Sequence, residues 1–222
     1  MKLRFFARRT VYVPTLLGWT LLASFFALPG LWWFNYGEAF LSVTSRVPAR
    51  ILVVEGWVGP EGLKAAKAEF ETGGYDYLVT SGGLVDPDDP ENWTKEGWTY
   101  AEGAGKALLR LGVPSEKVIF SPPRGVDRQR SYTSAVAVKE ALSAVGIAPQ
   151  SLNVFSSGAH ARRTWMVYEK AYGPETKVGI IAFEPPAYAS KAWWHSSERA
   201  IELMVQTVGF FYEFFLNSGR KA

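Results

Sequence analysis

The 222 residues are 48% hydrophobic and 20% charged, enough apolar material for one good core plus an appendage, which argues against a disordered chain. The formal charge is +3, but Lys2, Arg4, Arg8 and Arg9 supply four of the 24 basic residues; beyond Thr10 the remaining 20 face 21 acidic ones, so no general nucleic-acid surface is indicated. With no cysteine, disulfides, thiolate metal sites and cysteine nucleophiles are excluded.

After the basic leader (1–10) no charged residue occurs until Glu38, and the apolar run 11–34, "VYVPTLLGWTLLASFFALPGLWWF", exceeds the roughly 20 residues a helix needs to cross a bilayer. Four Lys/Arg precede the run while Arg46 and Arg50 follow it, so the positive-inside bias places the N-terminus in the cytoplasm and the rest outside it. A cleaved signal peptide is the rival. Its apolar core would be about 7–15 residues before a small-residue cleavage site, and "ALPGLWWF" fits this poorly, so an uncleaved single-pass anchor in the cytoplasmic membrane is expected. Pro14 and Pro29 are expected near the ends of the span, and Tyr12, Trp32, Trp33 and Tyr36 suit its interfacial belts. Residues 35–49, which include most of "SVTSRVPAR" (42–50), read as a polar linker to a domain over 50–222.

Within that domain five short runs are nearly continuous in hydrophobicity: "ILVVE" (51–55), "YLVTS" (77–81), "KVIFS" (117–121), "LNVFS" (152–156) and "VGIIAF" (178–183). Such runs suit strands buried on both faces of a parallel sheet. Helical stripes lie between them. Pro60 opens one closed by Gly73 and Gly74; Trp98, Ala101, Gly105 and Leu108 form a second ending at Gly112. Ala135, Val138, Leu142 and Val145 form a third, with Ser131 as its expected N-cap, and a fourth runs from His160 to Tyr172. The last begins near Ser196 and Ser197 and reaches about Leu216, apolar on more than one side. This alternation predicts an α/β fold: an open, mainly parallel five-stranded sheet, Rossmann-like, with helices on both faces, behind one transmembrane helix.

Open α/β sheets bind ligands beyond the carboxyl ends of their strands, where this sequence carries Glu55, the turn Ser81-Gly82-Gly83, and Ser156 and Ser157. The helix after the fourth strand starts with His160, Arg162 and Arg163. A helix N-terminus is already electropositive, so cations there cost stability unless an anion joins them. Arg128 and Arg130, before the helix that follows the third strand, repeat the pattern, and together these groups outline a pocket for a phosphate or carboxylate. Arg162 and Arg163 point about 100° apart on a helix, so one at most faces the crevice. Arg163 is otherwise solvated or paired with Glu140 or Glu169. His160 is a candidate proton donor, a ligand contact or a polar cap; Glu55 is a candidate general base, metal ligand or partner of Arg128. The dinucleotide fingerprint, the Walker motif and the nucleophile elbow are missing, and His160 and His195 are too far apart for a helix-borne zinc pair, so no metal site and no cofactor is assigned.

The blocks "YLVTSGG", "LGVPSEKVIF", "DRQRSYTSAVAVKEAL" and "FSSGAHARRTW" resemble, in order, those of the YdcF/SanA/ElyC family of bacterial envelope proteins, over roughly residues 50–215. The resemblance implies a Rossmann-like domain behind a membrane span, associated with envelope integrity and peptidoglycan or lipid-carrier metabolism. By matching blocks it marks Ser81, Gly82, Gly83, Arg128, Thr133, His160 and Arg163. The first strand departs from the family's Gly-rich turn and ends "VVEGWVG", which puts a carboxylate in the crevice. The expectation is therefore an extracytoplasmic protein binding a phosphate-bearing small molecule or lipid-linked intermediate, with Glu55 and His160 handling protons if it hydrolyses or transfers the phosphate. The competing expectation is a non-catalytic scaffold that holds an envelope-synthesis partner through Trp57, Trp93, Trp193 and Trp194.

Overall fold

Parallel strands need crossover connections, and here each is a helix. The computed structural model describes residues 11–85, 99–123, 129–186, 188 and 192–216. The elements follow the order α1 (Leu16–Leu41), β1 (Ile51–Glu55), α2 (Gly59–Thr72), β2 (Tyr77–Ser81), α3 (Tyr100–Arg110), β3 (Val118–Ser121), α4 (Arg130–Ala144), β4 (Ser151–Ser157), α5 (Ala161–Tyr172), β5 (Lys177–Phe183) and α6 (Ser197–Phe215). Two compact units result, Met1–Gly37 and Glu38–Ala222.

The first unit carries most of α1, a helix long and apolar enough by length and composition to cross a membrane. Its 26 residues correspond to about 39 Å at 1.5 Å per residue, against a hydrocarbon core of about 30 Å. Leu16, Phe25 and Leu28 are exposed, and the Trp32 and Tyr36 rings lie tilted against each other with centroids 6.0 Å apart. Pro29, expected near an end of the span, lies inside the helix. The expected boundary at residue 34 also moves, because the helix continues to Leu41.

In the second unit all five strands pair in parallel in the order β3-β2-β1-β4-β5. Alternate side chains sort into two cores. Ile51, Val53, Val79, Leu152 and Val154 pack under α4 and α5 with Val138, Leu142 and Tyr168. Leu52, Val54, Leu78 and Phe155 pack under α2 and α3 with Leu63, Phe70 and Leu108. The segment expected as a polar linker is tied to the sheet instead. Ser45 bridges Ile180, and buried Asn153 accepts from Val47 N at 3.0 Å while donating to Val47 O at 2.8 Å and to Tyr75 Oη at 3.0 Å. Gln129, in the left-handed conformation (φ 53°), precedes α4, so the expected N-cap Ser131 lies inside its first turn.

Candidate functional site

Strand alternation decides what stands at each strand end. On β1, Ile51 and Val53 face α4 and α5, so Glu55, two residues on, faces the same helices. By the same parity Val154 leads to Ser156 and Val79 to Ser81. The sheet order reverses between β1 and β4, where open α/β sheets hold ligands. Glu55 and Ser156 therefore meet at the switch point, and the Ser156 hydroxyl donates to Glu55 Oε2.

The other half of the site comes from α5 and the 3-10 turn Gly158–His160 before it. His160, Thr164, Tyr168 and Tyr172 recur every four residues, one inward stripe, polar toward the strand ends. Thr164 Oγ1 lies 2.7 Å from His160 Nδ1 and 3.2 Å from each carboxylate oxygen of Glu55. His160 Nδ1 is itself 3.3 Å from Glu55 Oε2. On the far side of the ring, Arg163 Nη2 donates to His160 Nε2 at 2.6 Å. A guanidinium only donates, so Nε2 accepts and the donor pattern assigns the ring proton to Nδ1. The bonds then run one way, from Arg163 through His160 and Thr164 to Glu55. Glu55, His160 and Thr164 are 4%, 5% and 0% exposed, so the network is buried and its charges lean on one another. Beside it, Tyr168 donates to Ser81 Oγ at 3.2 Å, and burial holds that phenol well above its ordinary pKa, with Glu55 adding to the effect.

Above the network opens a cleft of about 600 Å³. Glu55, His160, Arg163 and the Ser81-Gly82-Gly83 turn line it, with Trp57, Tyr100 and Arg130 beside them. The Trp57 ring meets His160 edge-on, 4.4 Å between centroids. The three carbonyls of the turn are taken: Ser81 O by Gly56 N at 2.7 Å, Gly82 O by Ala101 N at 3.2 Å and Gly83 O by Tyr100 N at 2.9 Å. Gly82 adopts φ 137°, and a methyl there would meet Tyr100 Cβ at 2.7 Å, so this approach requires glycine. The far wall is α6, through Val205 and Gln206.

Arg163 is the strained member. Burial pulls its guanidinium below the ordinary pKa; Glu55 and Glu213 oppose the shift and Arg130 adds to it. Its Nε is buried with no hydrogen-bond partner, and the side chain lies against Gly209 of α6, where an added methyl would meet Nη1 at 2.5 Å.

The expected residues divide. Glu55, Ser81, Gly82, Gly83, His160 and Arg163 come together, joined by Arg130. Arg162 turns away, as the 100° offset requires: its Nε donates to Phe40 O and its guanidinium lies 3.8 Å over the Phe40 ring. Arg163 is committed to His160 rather than to Glu140 or Glu169. Thr133 donates to Gln129 O at 3.2 Å and does not line the cleft. Ser157, one residue out of phase with Ser156, lines a separate pocket of about 30 Å³ with Glu38, Glu184 and Arg199. Arg128, Trp93 and Trp98 lie outside the described residues. Among those described, no group of three His, Asp or Glu side chains is placed to hold a metal ion. Ser156 was named only among the polar strand ends, and Thr164, Tyr168 and Gln206 were not marked from the sequence at all. The four-residue spacing from His160 and the two-residue parity from Val154 were the signals for three of them; nothing local marks Gln206.

No protein-family model matches the chain, and no curated protein matches it.

Proposed function

We propose that this chain is a membrane-anchored α/β protein whose cleft binds a phosphate-bearing metabolite and hydrolyses or transfers the phosphate. One observation carries the reading: a half-buried arginine whose Nε is buried and unpartnered lines the cleft beside a second arginine, directly above a carboxylate–histidine network. A guanidinium destabilised by burial and by a like charge gains from an incoming anion. Arg163 and Arg130 hold the phosphate, and the N–H groups of the Gly82-Gly83 turn complete its cradle.

His160 accepts from Arg163 through Nε2 in the resting arrangement. An anion that draws the guanidinium to itself releases Nε2 to take the proton of an attacking hydroxyl as its oxygen bonds to phosphorus and the P–O bond to the leaving oxygen breaks; Thr164 and Glu55 stabilise the imidazolium from Nδ1 until it returns that proton to the leaving oxygen. The resemblance to the YdcF/SanA/ElyC family supports a setting in cell-envelope metabolism, of peptidoglycan or lipid carriers. The basic leader before an apolar helix supports a cytoplasmic N-terminus and an extracytoplasmic domain.

The test is the thermal midpoint of the full chain in detergent against nucleotides, sugar phosphates and isoprenoid phosphates, with and without Mg²⁺. A ligand at 100 times its Kd adds about 2.7 kcal/mol. A rise that vanishes in Arg163→Ala is expected; no rise across the panel overturns the anion site. If a ligand binds and its turnover survives both Glu55→Gln and His160→Ala, the catalytic part falls. Topology is read separately from Ser143→Cys, an exposed position of α4 in a cysteine-free chain, with any outer membrane opened first. Labelling by a membrane-impermeant thiol reagent in cells with an intact cytoplasmic membrane is expected, and labelling only after that membrane is breached contradicts the assignment.

A further inference from the structure

A helix on the surface of a water-soluble domain turns its apolar face inward and its charges outward. From Ile201 onward α6 departs from this, burying polar side chains alongside Leu203 and Phe210 and exposing apolar ones. Its inward stripe contains Gln206 and Glu213, both buried, and Glu213 accepts from Lys170 Nζ at 2.9 Å. Glu202 is half-buried, and burial raises its pKa. The exposed residues of the same stretch are all apolar or aromatic; Ile201, Met204, Val205, Val208, Tyr212 and Phe215, spaced three and four apart, form its central stripe. Val208 is 70% exposed and Phe215 67%.

We propose that this outward face of α6 docks on a lipid surface, seated in the interfacial region of the bilayer that α1 crosses. The fold itself points to lipid as the occupant. The residues that follow the apolar run of α1 within the second unit are held by α6: Arg199 Nε donates to Glu38 Oε1 at 3.0 Å, and the Phe40 and Phe210 rings pack edge-on at 5.3 Å. Glu38 and Phe40 are among the first residues of the second unit, so the chain enters that unit on α6 immediately after, in sequence, a run long and apolar enough to cross a bilayer. A continuous face without a charged residue, with Tyr212 and Phe215 along it and the exposed Trp194 just before the helix, has the composition of an interfacial helix. Its consequence concerns the cleft, because Val205 belongs both to the stripe and to the cleft wall, which places the cleft mouth at the membrane surface. The inference rests on α1 crossing a membrane but not on what the cleft binds.

The test uses the full chain reconstituted in vesicles of phosphatidylethanolamine and phosphatidylglycerol. Single spin labels are placed through Val208→Cys and Tyr212→Cys on the face, Phe25→Cys in the span and Ser143→Cys on α4. Collision rates with oxygen and with a water-soluble nickel chelate are compared. Lipid docking predicts an oxygen-to-nickel ratio at Val208 and Tyr212 severalfold above that at Ser143 and approaching that at Phe25. A nickel accessibility equal to that at Ser143 would show a face in water. Protection from both reagents would show a face covered by protein, whether a second copy or another partner. Either result overturns the proposal, and a Phe25 label outside lipid removes the span it rests on while leaving the anion site to its own test.

Discussion

Thr164→Val isolates the hydroxyl that joins His160 to Glu55. The side chain is fully buried, so valine keeps its volume while removing a donor to both carboxylate oxygens at 3.2 Å and an acceptor at 2.7 Å from Nδ1. A hydrogen bond to a charged group contributes about 1.5–3 kcal/mol. Part is recovered, because Nδ1–H already lies 3.3 Å from Glu55 Oε2 and can turn to it. The expected loss is therefore about 2 kcal/mol, which in a unit of this size lowers the thermal midpoint by about 4–8 °C. Thr164→Ser keeps the hydroxyl and loses one methyl group, for about 1 kcal/mol. Thermal unfolding of wild type and both variants, full length in detergent, measures the difference, and a cycle with Glu55→Gln should show non-additivity of about 0.5–3 kcal/mol. A valine variant indistinguishable from wild type, or a serine variant less stable than the valine one, would refute the relay.

Gly209→Ala adds a methyl 2.5 Å from Arg163 Nη1 and 2.9 Å from its Cδ. The helix gains about 1 kcal/mol from alanine while the flexible arginine is displaced, so phosphate binding should weaken with little change in midpoint, which titration and thermal unfolding of the same sample would separate. Gly179→Ala places a methyl 1.9 Å from Asn153 Oδ1 and 2.8 Å from the Val47 backbone nitrogen; a loss of about 3 kcal/mol is expected, with amide exchange accelerated first along β5 and residues 45–47. Burial holds Tyr75 up at about 12 and raises Tyr168 and Tyr172 as well, so the folded state keeps protons that the unfolded chain releases. Stability is therefore full below pH about 10 and falls as pH rises toward 12, a slope that Tyr75→Phe should reduce in denaturant titrations across that range.

The strands were legible because burial on both faces leaves continuous apolar runs, and β1 and β2 match the expected spans residue for residue. Their polar ends marked the crevice for the same reason: side chains that leave the core at a strand end must find polar company. Arg162 and Arg163 were separable in direction but not in destination, since only the packing of Phe40 beside one and Gly209 beside the other assigns each a side. The attachment of the linker to the sheet was not legible, because Asn153 lies 106 residues from Val47, a pairing no local pattern reveals. Pro29 was expected near an end of the span, and α1 runs through it and on to Leu41, past the last residue of the apolar run. The role of α6 as a cleft wall was hidden likewise, because a helix with apolar residues on more than one side does not announce which face meets the protein.

The central claim is that Arg163, and not its neighbour, holds an anion in the cleft. Calorimetric titration of the full chain with inorganic phosphate, comparing wild type with Arg163→Met and Arg162→Met, tests it most directly. Losing a hydrogen bond to a charged group should weaken binding about ten- to hundredfold in Arg163→Met and leave Arg162→Met at the wild-type affinity. Equal affinity in wild type and Arg163→Met, or an equal loss in both variants, would contradict the account.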